Sequence, residues 1–272
     1  MQIRRLIQGT TPLLISIPHM GAFLPPNLRR RMTAAALKLP DTDWHVDRLY
    51  RFAAEMGASV LMAAHSRYVV DLNRPPDDGE LYPGQVKTGL CPRETFAGEK
   101  IYKTGEEPDG IEKLNRVAVY WLHYHETLLA ELERIKEEYG YAILYDAHSI
   151  KSAVPRLFEG RLPDLNLGSV NGVSCAEGMA AAALQAAAAG NYSAVLNGRF
   201  VGGYITRRYG QPQNHIHALQ MELAQINYMD EDHPYHYDGG RAKKLQEVLK
   251  GVLQALLAWG QKNYRGRSIS KL

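Results

Sequence analysis

Short apolar runs alternate with amphipathic stretches along most of this chain. Strand-like runs lie at residues 13–17, 59–63, 68–70, 141–145, 193–196 and 217–222. Helical spacing of apolar residues predicts helices at 41–57, 110–138 and 175–189, and a closing helix carries an apolar stripe at 245–257. Strands alternating with helices predict an α/β fold, a three-layer α/β/α sandwich with a mixed, mainly parallel central sheet. Because no internal repeat or linker interrupts residues 1–272, we expect a single domain.

Four of the apolar runs end in polar residues that are able to carry out hydrolysis. His19 follows the first run, Asn73 and Arg74 follow another, His148 follows a third, and Glu222 ends a fourth. In open α/β sheets, ligands bind at the carboxyl ends of the strands. We therefore expect these side chains to share one site.

The residue types at these ends are those of a hydrolytic metal site. His19 and His148, joined by a carboxylate from the predicted helix 41–57, would leave one coordination position open, as in catalytic zinc sites. Glu222 would take a proton from water and pass it to the leaving amine. Each residue alone is better explained as a turn former or a surface side chain, but their joint placement at strand ends favours the site.

Composition and charge narrow the class of function. The net charge is +3, and the basic runs at 28–32 and 265–267 are short and lack interleaved aromatic residues, which argues against nucleic acid. No apolar run approaches the roughly 20 residues of a membrane span, and residues 1–9 lack the core of a signal peptide. Cys91 and Cys175 lie far apart in sequence, as expected for two thiols in a reducing compartment. We therefore predict a cytoplasmic protein with no membrane or nucleic-acid partner.

Six short motifs stand out along the chain: IPHMG at 17–21, DTDWHVDRL at 41–49, SRYVVDLNRP at 66–75, LYPG at 81–84, DAHS at 146–149 and GYITR at 203–207. Together they closely resemble the N-formylglutamate amidohydrolase (N-formylglutamate deformylase) family, from about residue 13 to the closing helix. The resemblance implies a phosphorylase/hydrolase-like fold. It also implies hydrolysis of N-formyl-L-glutamate to L-glutamate and formate, the last step of one route of histidine degradation.

A more distant likeness to zinc carboxypeptidases suggests roles for individual residues. His19, His148, the Asn73-Arg74 pair and Glu222 are similar, in the same chain order, to two histidine ligands, a carboxylate-binding pair and a glutamate base. The likeness implies one divalent metal ion, with zinc as the expected ion.

The likeness fails at the third ligand. Ala22 stands three residues after His19, where zinc carboxypeptidases have a glutamate. We expect Asp47 to supply the missing carboxylate, with Asp43 as second choice, because the two would lie one turn apart on the same face of the predicted helix.

The implied substrate is a small dianion, and a buried carboxylate is best held by the two-pronged guanidinium of an arginine. Arg74, together with Asn73, would hold one carboxylate. A second arginine should hold the other, and the predicted substrate-binding set also includes Arg67 and Arg207. The sequence does not rank these two firmly above the remaining candidates, which are Arg156, Arg199 and Arg208.

Two alternatives stay open at this point. A related metal amidohydrolase acting on another N-acyl acidic amino acid would use the same ion and base. A protein that has kept the fold but lost the metal would bind a ligand without catalysis, and the intact His19, His148 and Glu222 argue against it.

Overall fold

One mixed sheet organises the computed structural model, which describes residues 3–81 and 88–265. Its strands are β1 (Arg4–Ile7), β2 (Leu13–Ile17), β3 (Ser59–Ala63), β4 (Ala142–Ile150), β5 (Leu165–Gly168), β6 (Ala194–Leu196) and β7 (Ile216–Ala224), in the order β1-β3-β2-β4-β7-β5-β6. The β1–β3 and β5–β7 pairs are antiparallel, and the other neighbouring pairs are parallel. The predicted mixed, mainly parallel sheet is confirmed.

Helices flank this sheet. They are α1 (Pro26–Arg31), α2 (Val46–Leu49), α3 (Phe52–Glu55), α4 (Gly110–Arg116), α5 (Leu122–Tyr139), α6 (Glu177–Ala188), α7 (Tyr204–Tyr209) and α8 (Gly239–Tyr264), with short 3₁₀ turns at Ala36–Lys38, Pro212–Asn214 and Gln225–Asn227. Asp109 caps α4 by accepting a hydrogen bond from the Glu112 backbone N–H, and Gly140 ends α5 in the left-handed conformation.

Each face of the sheet has its own apolar core. In β2, Leu13, Ile15 and Ile17 point toward α6 and α8, whereas Leu14 points toward α5. This alternation follows from the two-residue period of a strand, and both sets of side chains are fully buried. The three predicted layers are therefore helices, sheet and helices.

The predicted helix 41–57 is wrong in its first part. His45 has a backbone φ of 64°, in the left-handed region, so α2 begins only at Val46. Asp43 consequently lies in a turn ahead of the helix and not on a helical face shared with Asp47. The strand predicted at 68–70 is also wrong, since these residues form a turn.

The long helix predicted at 110–138 is confirmed but contains an irregularity. A π-helical turn, Val117–Trp121, joins α4 to α5. Such turns are rare and are found frequently at functional sites.

Within the described ranges, no helix has the length and apolar character that a membrane crossing requires. Three residues of the LYPG motif, at 82–84, lie outside the described residues.

Candidate active site

The polar ends of the strands meet at one cavity. It encloses about 640 Å³, including its open mouth, and Asn73, Arg74 and Glu222 lie on its wall together with His19 and His148. His148 and Glu222 are direct partners in the parallel β4–β7 pairing, so their side chains project from the same face of the sheet. The structure therefore brings these residues together at one cavity, as the sequence predicts.

Two histidines and one aspartate form a buried cluster at this cavity. One ligand atom from each of His19, Asp43 and His148 lies within 4.8 Å of the others, and all three residues are buried. Asp43 Oδ2 is 3.2 Å from His148 Nδ1 and 3.8 Å from His19 Nδ1. Both imidazoles thus turn the same ring nitrogen toward one carboxylate oxygen.

The opposite nitrogen of each ring faces a second carboxylate. His19 Nε2 lies 2.8 Å from Asp71 Oδ1, and His148 Nε2 lies 2.9 Å from Asp146 Oδ2. A carboxylate accepts, so each Nε2 carries a hydrogen, and each Nδ1 is the ring nitrogen that can offer a lone pair to a ligand. This carboxylate–histidine arrangement typically orients histidines that bind metals.

The aspartates behind the histidines are themselves fixed. Ser16 Oγ donates to Asp146 Oδ1 at 2.9 Å, and Arg67 Nη2 donates to Asp71 Oδ2 at 2.6 Å. Burial alone would raise the pKa of Asp71, but the charges of Arg67 and then His19 outweigh it and hold that pKa well below its usual value. Asp71 is therefore a fixed negative charge behind the cluster.

The two histidines differ in their electrostatic surroundings. Burial, followed by the charge of Arg67, lowers the pKa of His19, although Asp71 opposes both. Burial also disfavours the charged form of His148, but Asp146 and Asp43 outweigh it and hold the pKa of His148 well above its usual value. The second proton that these carboxylates favour on His148 lies on Nδ1, facing Asp43, in the position that a bound cation would take instead.

Glu222 is a buried carboxyl on the same wall. Burial raises its pKa to about 8, with His148 acting in the opposite direction and Asp43 adding to the rise. A carboxyl with such a pKa can both accept and release a proton near neutral pH.

The loop that carries Asp43 is held on both sides of that residue. Gln225 Nε2 donates to the Thr42 carbonyl at 3.1 Å, and Tyr228 OH donates to the Trp44 carbonyl at 2.9 Å. The Asp43 N–H donates to the His19 carbonyl at 3.0 Å. Asp43 is thereby fixed against the first histidine.

The Asn73 side chain packs directly against the backbone of Gly203. Its Oδ1 accepts a hydrogen bond from the Ile205 N–H at 2.8 Å, and its Nδ2 lies 3.0 Å from His148 Nε2. A Cβ on Gly203 would come within 2.3 Å of Asn73 Nδ2, so only glycine allows this approach.

Three arginines lie on the cavity wall. Arg67 is buried, with Nη1 4.0 Å from Asp43 Oδ1, and Arg74 donates from Nε and Nη2 to Thr88 Oγ1 at 3.1 and 2.7 Å. Arg199 also lines the cavity and donates from Nε and Nη2 to the Leu157 carbonyl at 3.2 and 2.9 Å.

Two predicted site residues do not join this group. Asp47, in α2, is not part of the described His–Asp–His cluster, because the left-handed His45 places Asp43 ahead of the helix and at the histidines. Arg207 does not line the cavity, and its Nε donates to the Gly202 carbonyl at 3.0 Å. Asp43, the second choice for the carboxylate ligand, and Arg199, one of the unranked arginines, lie at the cavity instead.

Asp71 and Asp146 had no role in the predicted site. The signal that could have identified them is their position: each follows a strand-like run, and Asp146 lies two residues before a predicted ligand. Histidine ligands ordinarily need such a partner.

Comparison with known proteins points to one family. A family model described as N-formylglutamate amidohydrolase matches residues 11–229. The N-formylglutamate deformylase of Pseudomonas putida is 52% identical over 260 residues, covering 95% of this chain and 97% of that protein. The protein of the same name from Pseudomonas aeruginosa is 52% identical over 259 residues, covering 94% and 97%.

Solved structures share the fold. The N-formylglutamate amidohydrolase of Ralstonia eutropha JMP134 superposes with a TM-score of 0.82 at 22% identity, covering 97% of this chain and 99% of that one. A protein of Agrobacterium tumefaciens gives a TM-score of 0.68 at 17% identity, covering 94% and 96%.

Proposed function

This chain belongs to the N-formylglutamate amidohydrolase family and is a hydrolase, and from that membership we propose that it converts N-formyl-L-glutamate and water to L-glutamate and formate. One observation carries the proposal. A buried His–Asp–His cluster, a buried glutamate and three arginines face a single cavity. These are the groups that hydrolysis of a dianionic amide requires.

We propose that His19 Nδ1, Asp43 and His148 Nδ1 bind one divalent cation, with zinc as the expected ion. Support comes from the donor set, since two imidazoles and one carboxylate are typical of catalytic zinc. Further support comes from the convergence of two lone pairs on a carboxylate oxygen, which is unfavourable unless a proton or a cation lies between them. Such an ion supplies Lewis acidity, which polarises a carbonyl and makes water a stronger acid.

In the proposed reaction, Glu222 moves the proton. It accepts a proton from the attacking water as the hydroxyl adds to the formyl carbon, and donates it to the amide nitrogen as the C–N bond breaks. Burial holds its pKa above the usual value for a carboxyl, and a cation at the neighbouring cluster would bring that pKa back toward neutral pH, where both halves of this transfer are possible. Arg67, fixed by Asp71 and close to Asp43, is positioned to stabilise negative charge that develops on the formyl oxygen.

For recognition, we propose that Asn73 and Arg74 hold one carboxylate and that Arg199 holds the other. Arg67 and Arg74 were both predicted to bind substrate, but Arg67 already pairs with the buried Asp71. Arg199 is the remaining arginine among the described residues of the wall. Guanidinium groups at two points would select a substrate with two carboxylates.

A place in histidine degradation and a cytoplasmic location remain part of the proposal. The first rests on the family resemblance. The second is supported by the two cysteines, which are free and buried.

Formate release decides the proposal. Purified protein, stripped of metal and then loaded with zinc, should release formate from N-formylglutamate far faster than from N-acetylglutamate or N-formylaspartate, and only when loaded. Equal rates on N-acetylglutamate would assign the chain to a broader N-acyl hydrolase activity, and full activity after chelation would remove the metal from the mechanism.

A further inference from the structure

Three side chains of the long helical segment donate to the backbone of residues 69–74. Arg116 Nη1 donates to the Val69 carbonyl at 3.0 Å, Trp121 Nε1 donates to the Arg74 carbonyl at 3.0 Å, and His125 Nε2 lies 2.9 Å from the Leu72 carbonyl. Arg74 itself donates from Nη1 to the Asn73 carbonyl at 2.9 Å. Each of the three successive carbonyls at 72–74 is thus satisfied by a side chain and not by a sheet.

The π-helical turn makes this alignment possible. Arg116 and Trp121 are five residues apart, and in a regular α-helix, at about 100° per residue, they would point about 140° away from each other. The turn Val117–Trp121 is closed by bonds between residues five apart, which brings both side chains onto one face. His125 then follows Trp121 by four residues, one turn of ordinary α-helix.

The donor on His125 is fixed by its surroundings. A carbonyl only accepts, so His125 Nε2 must carry the hydrogen, and Nδ1 accepts from Tyr209 OH at 2.9 Å. The ring of His125 stacks on Trp121, with the centroids 3.7 Å apart, and both side chains are buried. The two donors therefore form one packed unit.

We infer that Trp121 and His125 are positioning residues for substrate recognition, which act by fixing the Asn73–Arg74 pair. This inference rests on the proposed function for the identity of the substrate. Neither residue lines the cavity, so any effect on catalysis must pass through the segment that they hold. The π turn contributes by placing these two donors on the same side of the helical segment as Arg116.

The test is a double-mutant cycle with Trp121→Phe and Arg74→Lys. Trp121→Phe keeps an aromatic ring and removes the N–H donor, so KM for N-formylglutamate should rise about three- to tenfold, as expected for one lost hydrogen bond, while kcat changes less. In the Arg74→Lys background the same change should cost less than about twofold, because the group that it positions is already impaired. Equal losses in both backgrounds would overturn the inference.

A second pair of variants separates the hydrogen bond from packing. His125→Gln retains an amide donor and should stay within about twofold of wild type, whereas His125→Leu should resemble Trp121→Phe. Trp259→Phe, on α8 and remote from the segment, is the matched control and should leave KM unchanged. Loss of zinc content in Trp121→Phe would show a general structural role and would also contradict the inference.

Backbone amide exchange gives a readout independent of the substrate. Exchange at the amides of residues 70–74 should accelerate in Trp121→Phe and His125→Leu, and unchanged exchange would refute the positioning role of Trp121 and His125. If the wild-type protein releases no formate from N-formylglutamate, the proposed function fails, while the exchange result still decides whether the helix holds this segment.

Discussion

The segment 42–44 and the segment 72–74 are built alike but serve different halves of the site. In each, side chains donate to the carbonyls on both sides of a central polar residue: Gln225 and Tyr228 around Asp43, and His125 and Trp121 around Asn73. The first pair of donors comes from the α8 side of the sheet and the second from the α5 side.

Each segment has two buried residues followed by a half-buried one, but the residues proposed to act, Asp43 and Arg74, differ in exposure. Asp43 is 1% exposed, and the Ser149 N–H also donates to it at 3.1 Å, whereas Arg74 is only partly buried. When a fully buried side chain is replaced, no other group can take over its interactions. When a partly exposed side chain is replaced, water can take over some of them. Substitution of Asp43 should therefore abolish the site, whereas substitution of Arg74 should change its affinity.

The largest expected effect is at Asp43. Asp43→Ala should abolish zinc binding and turnover, a greater loss than the roughly 10–100-fold typical of residues behind a ligand. Asp47→Ala, its matched control on α2, should keep both. Metal analysis and formate release measure the difference, and zinc loss in Asp47→Ala alone would reverse the two assignments.

Next in size is the proposed base. Glu222→Gln keeps the shape of the side chain and removes proton transfer, so kcat should fall by roughly 10²- to 10⁴-fold while zinc content stays at the wild-type level. Steady-state kinetics with metal analysis tests this, and near-normal kcat would exclude Glu222 from the chemistry.

A residue that orients a metal ligand should have a smaller effect on zinc binding than the ligand itself. Asp146→Asn removes the carboxylate that faces His148 Nε2, and zinc affinity should fall about 10–100-fold. Competition with a chelator would measure it. An unchanged dissociation constant would mean that His148 needs no carboxylate partner.

In substrate recognition, Arg74→Lys should weaken binding of the substrate carboxylate by about 2 kcal/mol, which is roughly 30-fold in kcat/KM. Lysine keeps the positive charge but lacks the planar, two-pronged guanidinium. Partial exposure places this at the lower end of such losses. The loss should appear in KM, with zinc content unaffected, and an equal loss in kcat at constant KM would contradict a binding role.

Acid stability is a separate readout by which the two segments can be distinguished, and it does not involve the substrate. Burial lowers the pKa of His125 to about 3, below the value of 6.5 expected when unfolded, so the unfolded chain binds the proton more readily. Its contribution to stability is complete above about pH 6.5 and is lost as the pH falls toward 3. His125→Gln should therefore flatten the decline in unfolding free energy below pH 6.5, measured by denaturant titration at several pH values, and Gln225→Ala should not.

The strand ends were the predictable part of the site. His19, His148 and Glu222 follow from apolar runs that stop at polar residues, because parallel strands bring their carboxyl ends together. Asp43 was assigned second place because the left-handed backbone of His45 depends on tertiary contacts, including the 2.7 Å contact between His45 Nε2 and the Tyr235 carbonyl.

Two short strands and the π-helical turn have no recognisable signal in the sequence. β1 is a half-exposed edge strand of four residues, and β5 is equally short, so neither has the length that periodicity needs. The π turn is also invisible, because residues 110–138 read as one continuous amphipathic helix.

The pairing of His148 with Glu222 across β4 and β7 has a consequence for how this scaffold could change. The spacing between His148, the proposed metal ligand, and Glu222, the proposed base, is set by the distance between neighbouring strands, about 4.8 Å, and not by a loop. The arginines proposed to bind the substrate carboxylates lie on separate segments. Reaction and specificity are therefore modular here, and new acyl amino acids could be accommodated by redesigning residues 72–74 and the surroundings of Arg199 while the hydrolytic centre is left as it is.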